Sequence, residues 1–139
     1  MRRIIIDCDP GQDDAVALLL ALASEDELDL VGITCVAGNV PLRHTVRNAL
    51  RVRELSGRRN VPVYAGCPRP ILRPLATAEE VHGKTGLDGV DLPEPGRGAE
   101  ERHAVDFIIE ACRAAPDGGI TLCPIGPMTN IATALVMAP

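Results

Sequence analysis

A chain of 139 residues with 46% apolar and 24% charged residues has the composition of one ordinary soluble globular domain, long enough to bury a core. Its net charge of −5 and its scattered arginines exclude a nucleic-acid surface, which needs lysine and arginine concentrated on one face. Tyr64 and Phe107 are the only aromatic residues, so a base-stacking platform for single strands is excluded as well.

Ile4-Ile5-Ile6 predicts a buried strand, stopped by Pro10 and turned by Gly11. The strong helix formers from Ala15 to Ala23 predict a helix that begins at or near Asp13. This apolar run is far too short to span a membrane, and Asp7 and Asp9 interrupt any secretory apolar segment after Met1-Arg2-Arg3. Ser24 to Asp29 is a short acidic connection, and Leu28 to Val36 reads as a second strand buried on both faces. After Ala37-Gly38-Asn39, Pro41 opens a helix to about Leu55. Val46, Leu50, Val52 and Leu55 are expected inward, His44, Arg47 and Arg51 outward, and Gly57 serves as the cap. Val61 to Ala65 is a short third strand closed by Gly66.

Residues 67–102 are too rich in proline and glycine for a long regular element, and a loop of that length in a compact domain points to function or disorder. Ala104 to Cys112 reads as a helix, Ile120 to Cys123 as a strand, and Thr129 or Asn130 starts a last helix that runs to Met137. Strands alternating with helices predict one Rossmann-like α/β domain, with an open, mainly parallel sheet and flanking helices. Five cysteines, odd in number and without C-x-x-C spacing, fit neither a zinc site nor a disulfide framework. They are expected to be free thiols, as in a reducing cytoplasm. No capping glycine or closing strand follows the last helix, so the chain is expected to be interrupted at Pro139.

The chemistry concentrates in Asp7, Asp9, Asp13 and Asp14, at the carboxyl end of the first strand and the start of the first helix. In open α/β sheets that crevice binds ligands. Capping and the helix dipole explain one or two aspartates there. Four so close together repel one another and require a cation. All-oxygen donors suit Ca²⁺ or Mg²⁺ and not zinc, while the spacing lacks the glycine and glutamate of an EF-hand. Asp7-x-Asp9 after a buried strand also resembles the haloacid-dehalogenase-type phosphatases, but that family gives no reason for Asp13-Asp14.

Asp7-x-Asp9-Pro10-Gly11-x-Asp13-Asp14-Ala15-Val16-Ala17 resembles the N-terminal signature of the inosine-uridine-preferring nucleoside hydrolases. The resemblance continues in order through Val36-Ala37-Gly38-Asn39, Thr45-x-Arg47-Asn48-Ala49, Val63-Tyr64-Ala65-Gly66, Val81-His82-Gly83 and Gly126-Pro127-x-Thr129-Asn130-Ile131-Ala132. It implies a calcium-dependent enzyme that cleaves the bond between ribose and a purine or pyrimidine base. Asp9 is then a Ca²⁺ ligand and the general base that activates water, Asp14 a second carboxylate ligand, and the carbonyl of Ile125 a third. Ile125 stands where many relatives have threonine, which a carbonyl ligand tolerates. Asp13 is expected to hold ribose hydroxyls, Asn39 to line the pocket, and His82 to contact substrate from the loop 67–102. Asp7 supports the site from behind, and Asn48 and Asn130 cross-link neighbouring segments. Relatives continue for a comparable length, and that part is expected to supply a further aspartate ligand and the acid that protonates the leaving base. The isolated chain is therefore expected to be weakly active or inactive, and a non-catalytic domain keeping part of the site is the alternative. The resemblance also implies a homo-oligomer, a dimer or a tetramer.

Overall fold

The computed structural model describes every residue from Met1 to Pro139. In chain order the elements are β1 Arg2–Cys8, α1 Gln12–Ala23, β2 Leu28–Cys35, α2 Leu42–Ser56, β3 Val63–Ala65, α3 Glu79–His82, α4 Ala104–Ala114, β4 Thr121–Pro124 and α5 Thr129–Met137. The strands form one parallel sheet in the order β3-β2-β1-β4. The chain winds outward from β1 through β2 to β3, then crosses back to place β4 on the other side of β1. The carboxyl end of β1 is thus the switch point, where such sheets open a crevice.

β1 is central because its apolar residues serve two cores. Ile4, Ile6 and Cys8 pack with Leu18 and Leu22 of α1 and Ala49 and Val52 of α2. Ile5 packs on the opposite face with Val105 and Ile108 of α4 and Ile131 of α5. Successive strand side chains alternate between faces, so Asp7 falls on the side of Ile5 and meets α5. On that face Phe107 stacks on Tyr64, with ring centroids 3.9 Å apart. Gly32 makes room for it, since a Cβ there would lie 2.7 Å from the Phe107 ring. No helix is long and apolar enough to cross a membrane, and all five cysteines are free.

The expected elements are present, with ends moved by one or two residues. Gly57 caps α2 in the left-handed conformation at φ 76°. Two side chains of α2 differ from expectation. Leu55 is exposed at the rim of a groove it shares with Val16 and Val90. The fully buried residue at this end is Arg53, whose guanidinium donates to the carbonyls of Val61 (3.4 Å) and Arg97 (2.6 Å). Arg51, expected outward, is largely covered and donates to the carbonyls of Leu92 and Pro93. Arg47 is exposed as expected and pairs with Glu94 at 2.6 Å. These three arginines clasp the later part of segment 67–102. Its only helix is the one-turn α3, and a single bridge joins Glu100 to Tyr64.

Candidate active site

Asp9 sits in the turn between β1 and α1, one residue beyond the strand. Its Oδ2 accepts the main-chain N–H of Asn39 at 2.7 Å, and the Asn39 amide donates to the Asp9 carbonyl at 3.1 Å. Asn39 follows β2, so the neighbouring strand's exit loop fixes Asp9 at two points. The Asp9 N–H in turn donates to Oδ2 of Asp14 at 2.9 Å. Adjacent helical residues point about 100° apart. Asp14 is therefore drawn inward beside Asp9, whereas Asp13 projects into solvent at the rim.

Asp7, Asp9 and Asp14 are 1%, 5% and 5% exposed. Burial raises the pKa of each above the ordinary aspartate value. Asp14 is pushed up to about 7, chiefly by burial, against the hydrogen bond from the Asp9 amide and reinforced by the charges of Asp9 and Asp13. None of the seven ion pairs includes Asp7, Asp9, Asp13 or Asp14. No cationic side chain is therefore ion-paired with the cluster to offset its charge. No group of three or more His, Cys, Asp or Glu side chains converges on one point, and within the cluster Asp9 and Asp14 are the two joined by a hydrogen bond.

Two glycines enclose the Asp9 carboxylate. A Cβ on Gly38 would lie 2.1 Å from Asp9 Oδ2, and one on Gly126 would lie 2.7 Å from Oδ1. Gly126, the residue after Ile125, is thus packed against the Asp9 carboxylate and main chain. The peptide joining the two is tethered by the carbonyl of Asp7, which accepts the N–H groups of both Ile125 (2.9 Å) and Gly126 (3.2 Å). The Oδ1 of Asp7 accepts from Thr34 Oγ1 at 2.6 Å and from the Asn130 amide at 2.8 Å, while its Oδ2 is buried without a partner.

Segment 67–102 closes one side. The N–H of Ala78 donates to the Asn39 carbonyl at 2.8 Å, just before α3. The ring of His82 lies over Gly11, where a Cβ would come within 2.4 Å of it, and its Nδ1 meets Oε1 of Gln12. Asn48 ties the segment to the signature turn by donating to the carbonyls of Thr85 (2.7 Å) and Pro10 (2.9 Å). Asp9, Asp14, Asn39 and Gly126 come together, and Asp13 and His82 stand at the rim of the same crevice. The sequence reading overlooked Gly38 and Gly126 as walls of the site. Their visible signal was a glycine shortly after each of two strands that flank β1.

The profile described as "Inosine-uridine preferring nucleoside hydrolase" matches residues 4–139. The chain belongs to this family. The pyrimidine-specific ribonucleoside hydrolase RihB of Escherichia coli is 51% identical over 138 residues, which is 99% of this chain and 43% of RihB. An uncharacterised protein of Schizosaccharomyces pombe is 56% identical over 137 residues, 99% of this chain and 44% of its own length. Among solved structures, the purine-preferring ribonucleoside hydrolase from Gardnerella vaginalis superposes with a TM-score of 0.90 at 39% identity, covering 99% of this chain and 44% of its own. The chain spans less than half the length of these relatives. As a nucleoside hydrolase chain it carries the entire Asp7–Ala17 signature on the switch-point turn of an α/β sheet.

Proposed function

We propose that this chain carries the cation- and ribose-binding part of a calcium-dependent ribonucleoside hydrolase, which splits purine or pyrimidine nucleosides into base and ribose. The observation that carries this reading is the buried Asp9–Asp14 pair with no cationic side chain beside it. Asp9, Asp14 and the Ile125 carbonyl would hold Ca²⁺, whose preference is for oxygen ligands of this kind. When bound, the ion neutralises the pair and makes a nearby water more acidic.

The chain's own residues then divide the work. Asp9, oriented by Asn39, takes a proton from the water whose oxygen bonds to the ribose anomeric carbon. The carbon–nitrogen bond breaks and its electron pair leaves with the base. Positive charge builds on the ribosyl ring, as in glycoside hydrolysis, and the acidic crevice stabilises it. Asp13, exposed at the rim, accepts hydrogen bonds from two ribose hydroxyls, and His82 contacts substrate from above Gly11. RihB is named for pyrimidine specificity and the Gardnerella enzyme for purine preference, yet 99% of this chain matches each of them. A match to enzymes named for opposite base preferences supports a role for this part in binding what all nucleosides share, the ribose.

A second reading, a non-catalytic domain that retains a partial cation site, is favoured by the presence of only two converging carboxylates. Ribose release from inosine and uridine separates the two. On the 139-residue chain the release is expected to be weak, to require Ca²⁺, and to fall by about 10²-fold or more in Asp9→Ala, the usual range for losing a general base. Release unchanged by Asp9→Ala contradicts the assignment of Asp9. Release that requires Ca²⁺ and is lost in Asp9→Ala supports the first reading.

A further inference from the structure

Asn130 is fully buried in the first turn of α5, and each of its amide atoms is engaged. Its Nδ2 donates to Asp7 Oδ1 at 2.8 Å and to the Cys35 carbonyl at 3.1 Å, and its Oδ1 accepts the Cys67 N–H at 2.8 Å. One side chain from α5 thus bonds to β1, to the end of β2, and to the exit of β3. Gly66 presses it into place, since a Cβ there would lie 2.3 Å from the Asn130 amide. A cross-link of this kind explains stability. Its position explains more.

Residue 7 holds the segment 125–130 at both ends. Its carbonyl accepts from Ile125 and Gly126, and its carboxylate accepts from Asn130. The Asp7–Asn130 bond therefore closes a ring around the loop that carries the Ile125 carbonyl and the glycine packed on Asp9. We propose that Asn130 is a positioning residue for the cation site: acting through Asp7, it sets where the Ile125–Gly126 peptide stands against Asp9. The proposal rests on the reading that Asp9, Asp14 and the Ile125 carbonyl hold Ca²⁺. A network of this kind loses more than the sum of its pairs when one member is removed. Partners behind the ligands of a metal typically govern its affinity by about 10–100-fold.

The test is calorimetric titration of Ca²⁺ into the 139-residue chain and its variants, with circular dichroism confirming that each is folded at the temperature used. Asn130→Asp keeps size and shape but removes both donors, and Asn130→Ser removes the bond to Asp7 without adding charge. Both are expected to weaken calcium binding by about tenfold or more. Leu18→Ala, in the core formed with α1, lowers stability without touching the network and is expected to leave calcium affinity within twofold of the parent chain. The exchange Asp7→Asn with Asn130→Asp restores one N–H···O bond between the two positions and is expected to recover part of the affinity lost in Asn130→Asp alone. Asn130 variants that bind calcium as the parent does overturn the proposal while leaving the metal reading intact. So does a loss in Leu18→Ala as large as that in the Asn130 variants. A parent chain that binds no calcium overturns the metal reading itself and this inference with it.

Discussion

Asp14→Asn is expected to abolish the stabilisation of the chain by calcium and, at the same time, to make the calcium-free chain more stable above neutral pH. With the parent chain, Ca²⁺ at about a hundred times its Kd adds about 2.7 kcal/mol. For a domain of this size that raises Tm by about 10 °C. The pH dependence has a definite sign. An unfolded aspartate titrates near 3.9, roughly its ordinary value, whereas Asp14 in the folded chain is pushed up to about 7, and Asp7 and Asp9 are raised as well. Between these limits the folded chain binds more protons than the unfolded one, so without calcium its stability falls as the pH rises through that window. Calcium binds the deprotonated pair, so its effect on Tm grows over the same window. Replacing Asp14 by asparagine removes the largest of these shifts, still offers an oxygen to the Asp9 N–H, and flattens the pH profile. Thermal melts from pH 4 to 8, with Ca²⁺ and with a chelator, check all three outcomes. A calcium effect retained in Asp14→Asn contradicts the assignment.

The second large effect is expected from a single methyl group. Gly38→Ala places a Cβ 2.1 Å from Asp9 Oδ2, and Gly126→Ala places one 2.7 Å from Oδ1. Both contacts are impossible without moving the carboxylate. Gly126→Ala would also bring a Cβ to 3.0 Å from the Asp9 main-chain nitrogen, so the turn itself is pressed. A displacement of about 1 Å at a reacting group costs on the order of 10²-fold in rate. Each variant is expected to lower calcium affinity and calcium-dependent ribose release by that order, while circular dichroism remains that of the parent. Gly57→Ala is the comparison, because nothing lies within 4 Å of a Cβ there. Its left-handed backbone makes it a loss of stability alone.

These glycines also mark where reading the sequence ran out. β1, β2, the helices and the sheet class were legible because Ile4-Ile5-Ile6 and Leu28 to Val36 are apolar enough for strands buried on both faces, and because α1 and α4 are rich in helix formers. The Asp cluster stood out because four carboxylates so close together repel one another, more than capping one helix explains. Gly38 and Gly126 looked like turn residues, since the contact that makes them necessary comes from Asp9, about 30 residues before one and more than 100 before the other. Arg53 was invisible for a related reason. Its burial depends on the carbonyls of Val61 and Arg97, which only the fold brings to it. Asn130 could be read as a cross-link, but not that its partner is Asp7, 123 residues away.

The most direct test of the central claim, that the signature turn is a joint cation and ribose site, is a titration of inosine into the 139-residue chain with and without Ca²⁺. The same titration is then run on Asp13→Asn, which removes the carboxylate at the rim and leaves Asp9 and Asp14 in place. Binding that requires calcium in the parent, and that weakens by about tenfold or more on loss of this charge-assisted hydrogen bond, is the predicted result. Binding of equal strength without calcium, or unchanged in Asp13→Asn, contradicts it.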